Sequence, residues 1–241
     1  MRRAVLLFCS ILCATLAARD LGSRPLVLVH GYGPENFAEM KKFRQHLIDD
    51  GIPSNMILSV QYDGNAPSEE ITATIASQLE KFLTKFPDGT RFDVVGHSMG
   101  GFEGLYSPLQ SRFGKQLDHY TALAGWTHGQ NHLPSACRFF HGCGQTLPMI
   151  VPTDSYLLTR FYWDFNEQIH GIKKCSLYSR SDILTDDPLN SGGFLDGINV
   201  EVANVRHIQF MNDLDVYHIM RTACYGERAP KRGFKHKWIV H

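Results

Sequence analysis

The sequence predicts an α/β fold in which a mostly parallel sheet carries helices on both faces. Three observations carry that expectation. Strand-like and helix-like segments alternate along the chain. The first strand-like run, "PLVLV" at Pro25 to Val29, is apolar without alternation, as a strand covered on both faces must be. The stretch "DVVGHSMGG", Asp93 to Gly101, sets a serine between glycines where a strand gives way to a helix.

The elements follow in order. After "PLVLV" and the glycine-rich "HGYG", the segment "PENFAEMKKFRQHLIDDG" repeats Phe37, Met40, Phe43 and Leu47 at helical spacing. Gly51 and Pro53 end that helix. Met56 to Val60 reads as the next strand. Ser68 is a candidate cap for a helix carrying Ile71, Ile75, Leu79, Phe82 and Phe86, stopped by Pro87. "FDVVG" is a strand and the residues after Ser98 a helix, which Pro108 should break or kink. Asp118 to Leu123 and Lys174 to Tyr178 are strands. Ile198, Val200 and Val202 alternate in a last strand, and Asp213 to Thr222 forms the closing helix. The segment from about Trp126 to Ile172, rich in Gly, Pro, His and aromatic residues, is irregular.

The first residues stand apart. Met1-Arg2-Arg3 is basic, Ala4 to Leu16 is almost wholly apolar, and Thr15 and Ala17 are small at the −3 and −1 positions of a cut after Ala17. This pattern predicts a signal peptide over 1–17, a single domain over 18–241 and a secreted, extracellular protein. The apolar run is too short to span a bilayer. A chain of 241 residues, 43% hydrophobic, can bury one substantial core. Its 24 basic residues balance its 24 acidic ones, which argues against a nucleic-acid surface or a polybasic anchor. The basic tail "ERAPKRGFKHKWIVH" reads as a solvated or surface-packed end, with attraction to anionic lipid as a weaker alternative.

Removal of 1–17 would leave four cysteines of the six: Cys137, Cys143, Cys175 and Cys224. In an oxidising compartment four cysteines predict two disulfides. Cys137 and Cys143 are close in the loop-like "CRFFHGC" and form the favoured pair, which leaves Cys175 with Cys224. The rival reading, a zinc site of His132, Cys137, His141 and Cys143, fits no familiar ligand spacing.

A G-x-S-x-G motif is weak by itself, but here its context is strand, turn and helix. Gly96 and Gly100 flank Ser98 because so tight a turn leaves no room for Cβ atoms. Gly101 and Gly104 let the helix approach the sheet. The turn would lift the Ser98 hydroxyl above the strand end and set the Met99 N–H at a helix N-terminus, where it can stabilise an oxyanion. A second donor is the N–H of Tyr32 in "VHGYG", with Gly31 and Gly33 curling that loop toward the serine and His30 bracing it. A serine hydroxyl needs a base. In the order serine, acid, histidine, Asp182 ends the strand "KKCSLY" and His207 ends "INVEVANVRH". Asp186 and Asp187 compete for the acid, but lie past the strand end. His218 falls inside the closing helix and His170 precedes a strand, so neither fits the base.

Taken together, "LVLVHGYG", "DVVGHSMGG", "LYSRSD" and "NVRHIQF" resemble, in order and spacing over nearly the whole mature chain, the class 2 family of small secreted triacylglycerol lipases. The "VVGHSMGG" segment is shared by many α/β-hydrolases, so the closer likeness rests on the other three and on the small size. The resemblance implies an α/β-hydrolase fold and metal-independent ester hydrolysis. It implies the triad Ser98, Asp182 and His207, with Tyr32 and Met99 at the oxyanion. The chemistry asks for no cofactor and no metal. The partner would be a lipid or ester substrate, met at a lipid–water interface or in solution, and a monomer is expected. The long segment and Pro108 depart from the family's compact form. Phe139, Phe140, Phe161, Tyr162, Trp163 and Phe165 in that segment fit either an acyl-binding wall or a satellite core. A carboxylesterase or thioesterase on short soluble esters would use the same residues. A non-catalytic lipid-binding protein on a hydrolase scaffold is the alternative of another class, and such a protein would usually have lost part of the set.

Overall fold

A computed structural model of the protein describes residues 21–32, 37–128, 171–185, 188–194 and 196–241. The segment expected to be a signal peptide, Cys137, Cys143, Gly33, the competing Asp186 and Asp187, His170, the alternative zinc ligands and the named aromatic residues between 129 and 170 lie outside them.

Seven strands form one sheet: β1 (Leu26–Val29), β2 (Ile57–Ser59), β3 (Phe92–His97), β4 (Leu117–Leu123), β5 (Lys173–Tyr178), β6 (Ile198–Val202) and β7 (Trp238–Val240). Their spatial order is β2-β1-β3-β4-β5-β6-β7. Every pair is parallel except β6 with β7, which runs antiparallel with Trp238 opposite Val202. The expected strands are all present. β7 is the correction: three residues of the supposed surface tail pair with the edge of β6. A run of three residues ending a chain carries too little periodicity to be read as a strand.

Helices cover both faces. α1 (Phe37–Asp49) and α6 (Leu214–Tyr225) pack residues such as Phe43, Leu47, Val216 and Met220 against Leu26, Leu28, Val95, Leu177 and Val200. α2 (Ser68–Leu83) and α3 (Met99–Leu109) pack Ile71, Ile75, Leu79, Phe102 and Leu105 against Val27, Val29 and Val94 on the other face. Neighbouring residues of β1 thus face opposite cores, and this is why "LVLV" shows no alternation. The short helices α4 (Pro188–Gly192) and α5 (Gln209–Asn212) follow β5 and β6. Cys175 of β5 and Cys224 of α6 form a disulfide across one core, with Cα atoms 5.7 Å apart.

Three local expectations need amendment. Ser68 is the first residue of α2 and not its cap; Pro67 holds that position and the Ser68 hydroxyl turns away to Glu103. Proline suits a helix start because no partner is lost there. Pro108 sits in the last turn of α3, which closes at Leu109 without a kink being required. The closing helix runs to Tyr225, where Gly226 takes φ 71° as a left-handed stop. Its cap is Asp213, whose side chain accepts from the Asp215 N–H.

The chain leaves β1 toward β2 on one side, while β3 leads to β4 on the other. The crevice between the C-terminal ends of β1 and β3 is therefore the topological switch point, where ligands bind in open α/β sheets. His30 follows β1 there and Ser98 follows β3.

Candidate active site

Ser98 stands between β3 and α3 at φ 55°, ψ −126°, a conformation strained for any residue with a Cβ. Neighbouring backbone holds it there. Its N–H donates to the Leu123 carbonyl at 3.1 Å, and its carbonyl accepts from Gly101 at 2.8 Å and Trp126 at 3.0 Å. A Cβ on Gly96 would lie 2.1 Å from the Gly100 carbonyl oxygen, so the turn closes only with glycine there. Met99 opens α3, and its N–H is one of those at a helix start with no intrahelical carbonyl to meet.

The loop after β1 closes on this turn. A Cβ at Gly31 would come 2.8 Å from Cβ of Ser98 and 3.3 Å from its Oγ. Gly31 thus lets the backbone that leads to Tyr32 run beside the serine. His30 pairs Nδ1 with the Gly31 carbonyl at 2.8 Å and stacks on Tyr62, ring centroids 4.0 Å apart. The Tyr62 hydroxyl donates to the His30 carbonyl. Burial lowers the His30 pKa below 6.5, with hydrogen bonds to backbone opposing in part, so the ring is a neutral brace.

Asp182 follows β5 and His207 follows β6. The structure joins them, with Nδ1 of His207 2.7 Å from Oδ2 of Asp182 and both side chains largely buried. A proton on Nδ1 donated to the carboxylate leaves Nε2 as the acceptor face of the ring. Asp182 is itself held, accepting the Leu184 N–H on Oδ1 at 2.9 Å and the Thr185 hydroxyl on Oδ2 at 3.0 Å. Trp126 Nε1–H donates to that hydroxyl at 3.2 Å. Trp126 therefore ties the serine turn, through its backbone N–H, to the acid, through its ring. The two loops are also tied together, since the Ser179 hydroxyl accepts from the Ser181 and Val205 N–H groups.

His97, beside Ser98, has its ring centroid 4.7 Å from that of His207, and its Nε2 lies 3.2 Å from the His207 carbonyl oxygen. Burial first, then the neighbouring His207, hold the His97 pKa well below 6.5. His218 lies half-buried inside α6. Sequence reasoning passed over Trp126, Thr185, Ser179, Tyr62 and His97 as supporting residues. For Trp126 and Tyr62 the only signal is adjacency in space, whereas His97 stands beside Ser98 in the chain and Ser179 and Thr185 each lie three residues from Asp182. Among the described residues, no cluster of three or more His, Cys, Asp or Glu is arranged to hold a metal ion.

One turn beyond the serine, Glu103 is wholly buried and accepts from Ser68 Oγ at 2.6 Å, Thr72 Oγ1 at 3.2 Å and Ser107 Oγ at 2.8 Å, clamping α2 to α3. Burial pushes its pKa up from 4.5 to about 7, against the pull of those hydroxyls. The folded chain holds this proton more tightly than the unfolded chain. Its contribution to stability is full below about pH 4.5 and is lost as pH rises through about 7. Glu103→Gln is expected to remove that loss. The wild type should fall in stability relative to the variant between about pH 5 and about pH 8 in denaturant titrations.

No family model matches the chain. Solved structures do match. The mature form of the Bacillus licheniformis lipase BlEst2 aligns over 86% of this chain and 94% of its own, at 12% identity and a TM-score of 0.65. A structure of the metagenome-derived lipolytic enzymes LipS and LipT aligns over 81% of this chain and 90% of its own, at 15% identity and a TM-score of 0.52. The Legionella pneumophila phospholipase PlaB in complex with thio-NAD aligns over 66% of this chain at 18% identity and a TM-score of 0.52, and the match spans only 38% of that longer protein. With the parallel sheet and its helices on both faces, these likenesses give the chain the α/β-hydrolase fold.

Proposed function

We propose that this protein is a secreted serine hydrolase that cleaves carboxylic esters of lipids, of the triacylglycerol lipase type. The observation that carries the reading is the hydrogen bond between His207 and Asp182, with the His207 ring 4.7 Å from that of His97, next to a serine on a strained strand-to-helix turn. Ser98 Oγ attacks the ester carbonyl while His207 Nε2 takes its proton. The carbonyl oxygen becomes an oxyanion, stabilised by the N–H groups of Met99 and Tyr32. His207 returns the proton to the departing alcohol, leaving the acyl group on Ser98. Water, deprotonated by His207, then attacks the acyl carbonyl, and His207 gives that proton to Ser98 Oγ as the fatty acid departs. Asp182 fixes the imidazole tautomer and stabilises its charged form.

Further support comes from the lipolytic enzymes among the structural relatives and from the motifs resembling class 2 lipases. Secretion is supported by the leader-like first residues and by the Cys175–Cys224 bridge, since disulfides persist in oxidising compartments.

The test is hydrolysis of p-nitrophenyl esters from short to long acyl chains by the oxidised protein. Rates that rise toward long chains support a lipase. Turnover confined to short chains reassigns the protein as a carboxylesterase. No turnover by folded protein at any length rejects ester hydrolysis in favour of a lipid-binding role. Asp182→Asn is expected to lower kcat by about 10⁴-fold, because the amide can stabilise the wrong imidazole tautomer. A loss below tenfold would remove Asp182 from the role of acid.

A further inference from the structure

The protein is neutral overall, yet residues 226–241 hold five Lys and Arg against the single acid Glu227. Their path is defined. From Gly226 the chain climbs along α6, and at the top His236 meets the helix start: its Nε2 lies 3.1 Å from Oδ2 of Asp213, and its N–H donates to Asp215 at 2.8 Å. The Lys237 carbonyl accepts from Ala203 N–H, just past β6, before β7 turns down along that strand. Lys235 and Lys237 therefore stand at the C-terminal edge of the sheet, the edge that holds Asp182 and His207. Arg232 and Lys235 are 58% and 71% exposed and approach Asp215 and Asp213 only at 3.9 Å.

The same edge carries exposed apolar side chains. Ile183, next to Asp182, is 92% exposed; Ile208, next to His207, is 47% exposed; Leu214, next to Asp213, is 42% exposed. Scattered exposed apolar residues need no explanation. Here three follow directly on the acid, the base and the cap that anchors the basic strap.

We propose that this rim docks the protein onto an anionic lipid surface, with Ile183, Ile208 and Leu214 entering the headgroup–acyl boundary and Arg232, Lys235 and Lys237 facing the anionic headgroups. Isolated apolar tips on the same edge as a basic strap suit a fluid, negatively charged interface, which shapes itself around each tip. The inference rests on the ester-hydrolase reading only for its purpose, since it would bring the triad edge to face the lipid. The docking itself is measured without turnover.

The experiment uses the full oxidised chain carrying Ser98→Ala, sedimented with vesicles of phosphatidylglycerol and phosphatidylcholine or of phosphatidylcholine alone. Binding at least about tenfold tighter to the anionic vesicles is expected, falling away as NaCl is raised to about 0.5 M. A basic residue at such a surface multiplies affinity about fivefold, and the nearby Asp213 and Asp215 reduce the joint effect. Arg232→Gln with Lys235→Gln and Lys237→Gln should therefore lose roughly tenfold. Ile183→Ser, on a side chain too exposed to affect folding, should weaken binding as well. On the Ser98 background, the triple variant should hydrolyse a soluble short ester as the wild type does.

Equal binding to both vesicles, no binding, or unchanged binding by both variants overturns the proposal. So does lipid-free self-association that Ile183→Ser abolishes, which would assign the rim to a second copy of the chain. Vesicle binding without turnover of any ester would sink the hydrolase reading alone. Turnover of soluble esters without preference for anionic vesicles would sink the docking alone.

Discussion

Ser98→Ala is expected to lower kcat for ester hydrolysis by about 10⁵- to 10⁶-fold while leaving the fold intact. In the proposed mechanism the loss is this large because the remaining residues act as a unit with the nucleophile: without Oγ, the imidazole would have no proton to accept and no acyl-enzyme would form. The fold survives because the hydrogen bonds that hold the turn belong to the Ser98 backbone, to Leu123, Gly101 and Trp126. Alanine meets the same strain at φ 55° as serine does. Ser98→Gly relieves that strain, and should be more stable than Ser98→Ala by roughly 1 kcal/mol or more. Single-turnover kinetics and thermal unfolding check both statements. If Ser98→Ala kept more than a hundredth of wild-type activity, the nucleophile would have to be sought elsewhere.

Gly100→Ala is expected to abolish folding, or to cost more than about 4 kcal/mol of stability. A Cβ there would lie 2.2 Å from the His30 carbonyl oxygen and 2.4 Å from that of Val29. Both are backbone atoms at the end of β1, and β1 is fixed between β2 and β3. Neither can yield without disturbing the central ladder. Gly104→Ala is the control, one turn further along α3. Its nearest neighbours would be the Val29 Cγ2 and Val94 Cγ1 methyls at 3.3 Å, side-chain atoms able to give a little. The crowding there is offset by about 0.5–1 kcal/mol gained in replacing a mid-helix glycine. Soluble yield and urea midpoints separate the two variants. Equal stability would mean that α3 does not approach β1 as described.

Much of this was legible in the residues. Uniformly apolar strands such as "LVLV" announce burial on both faces, and a serine between glycines after such a strand announces the turn. The order serine, acid, histidine then points to the ends of β5 and β6. In the first two cases the cause is local, a side chain and its chain neighbours; the third follows from the order of these residues in the fold class. The rest depends on parts of the chain remote from one another. Ser68 looked like a helix cap because nothing near it in sequence reveals Glu103. Trp126 looked like the start of an irregular stretch, since Thr185 and the Ser98 carbonyl approach it only after folding. The Cys175–Cys224 pairing was reached by elimination, and its Cα separation exists only once α6 lies against the sheet.

The sequence by itself determined the order of the elements, the strained serine turn and which loops carry an acid and a histidine. Those properties follow from backbone sterics and from the period of apolar residues. Only the tertiary structure decided that Asp182 meets His207, that burial raises the pKa of Glu103, and that the tail rises along α6 to put basic residues at the edge of the sheet that carries Asp182 and His207. Hydrogen bonding, desolvation and surface placement are set by groups brought together from distant positions, and no local pattern encodes which groups those will be.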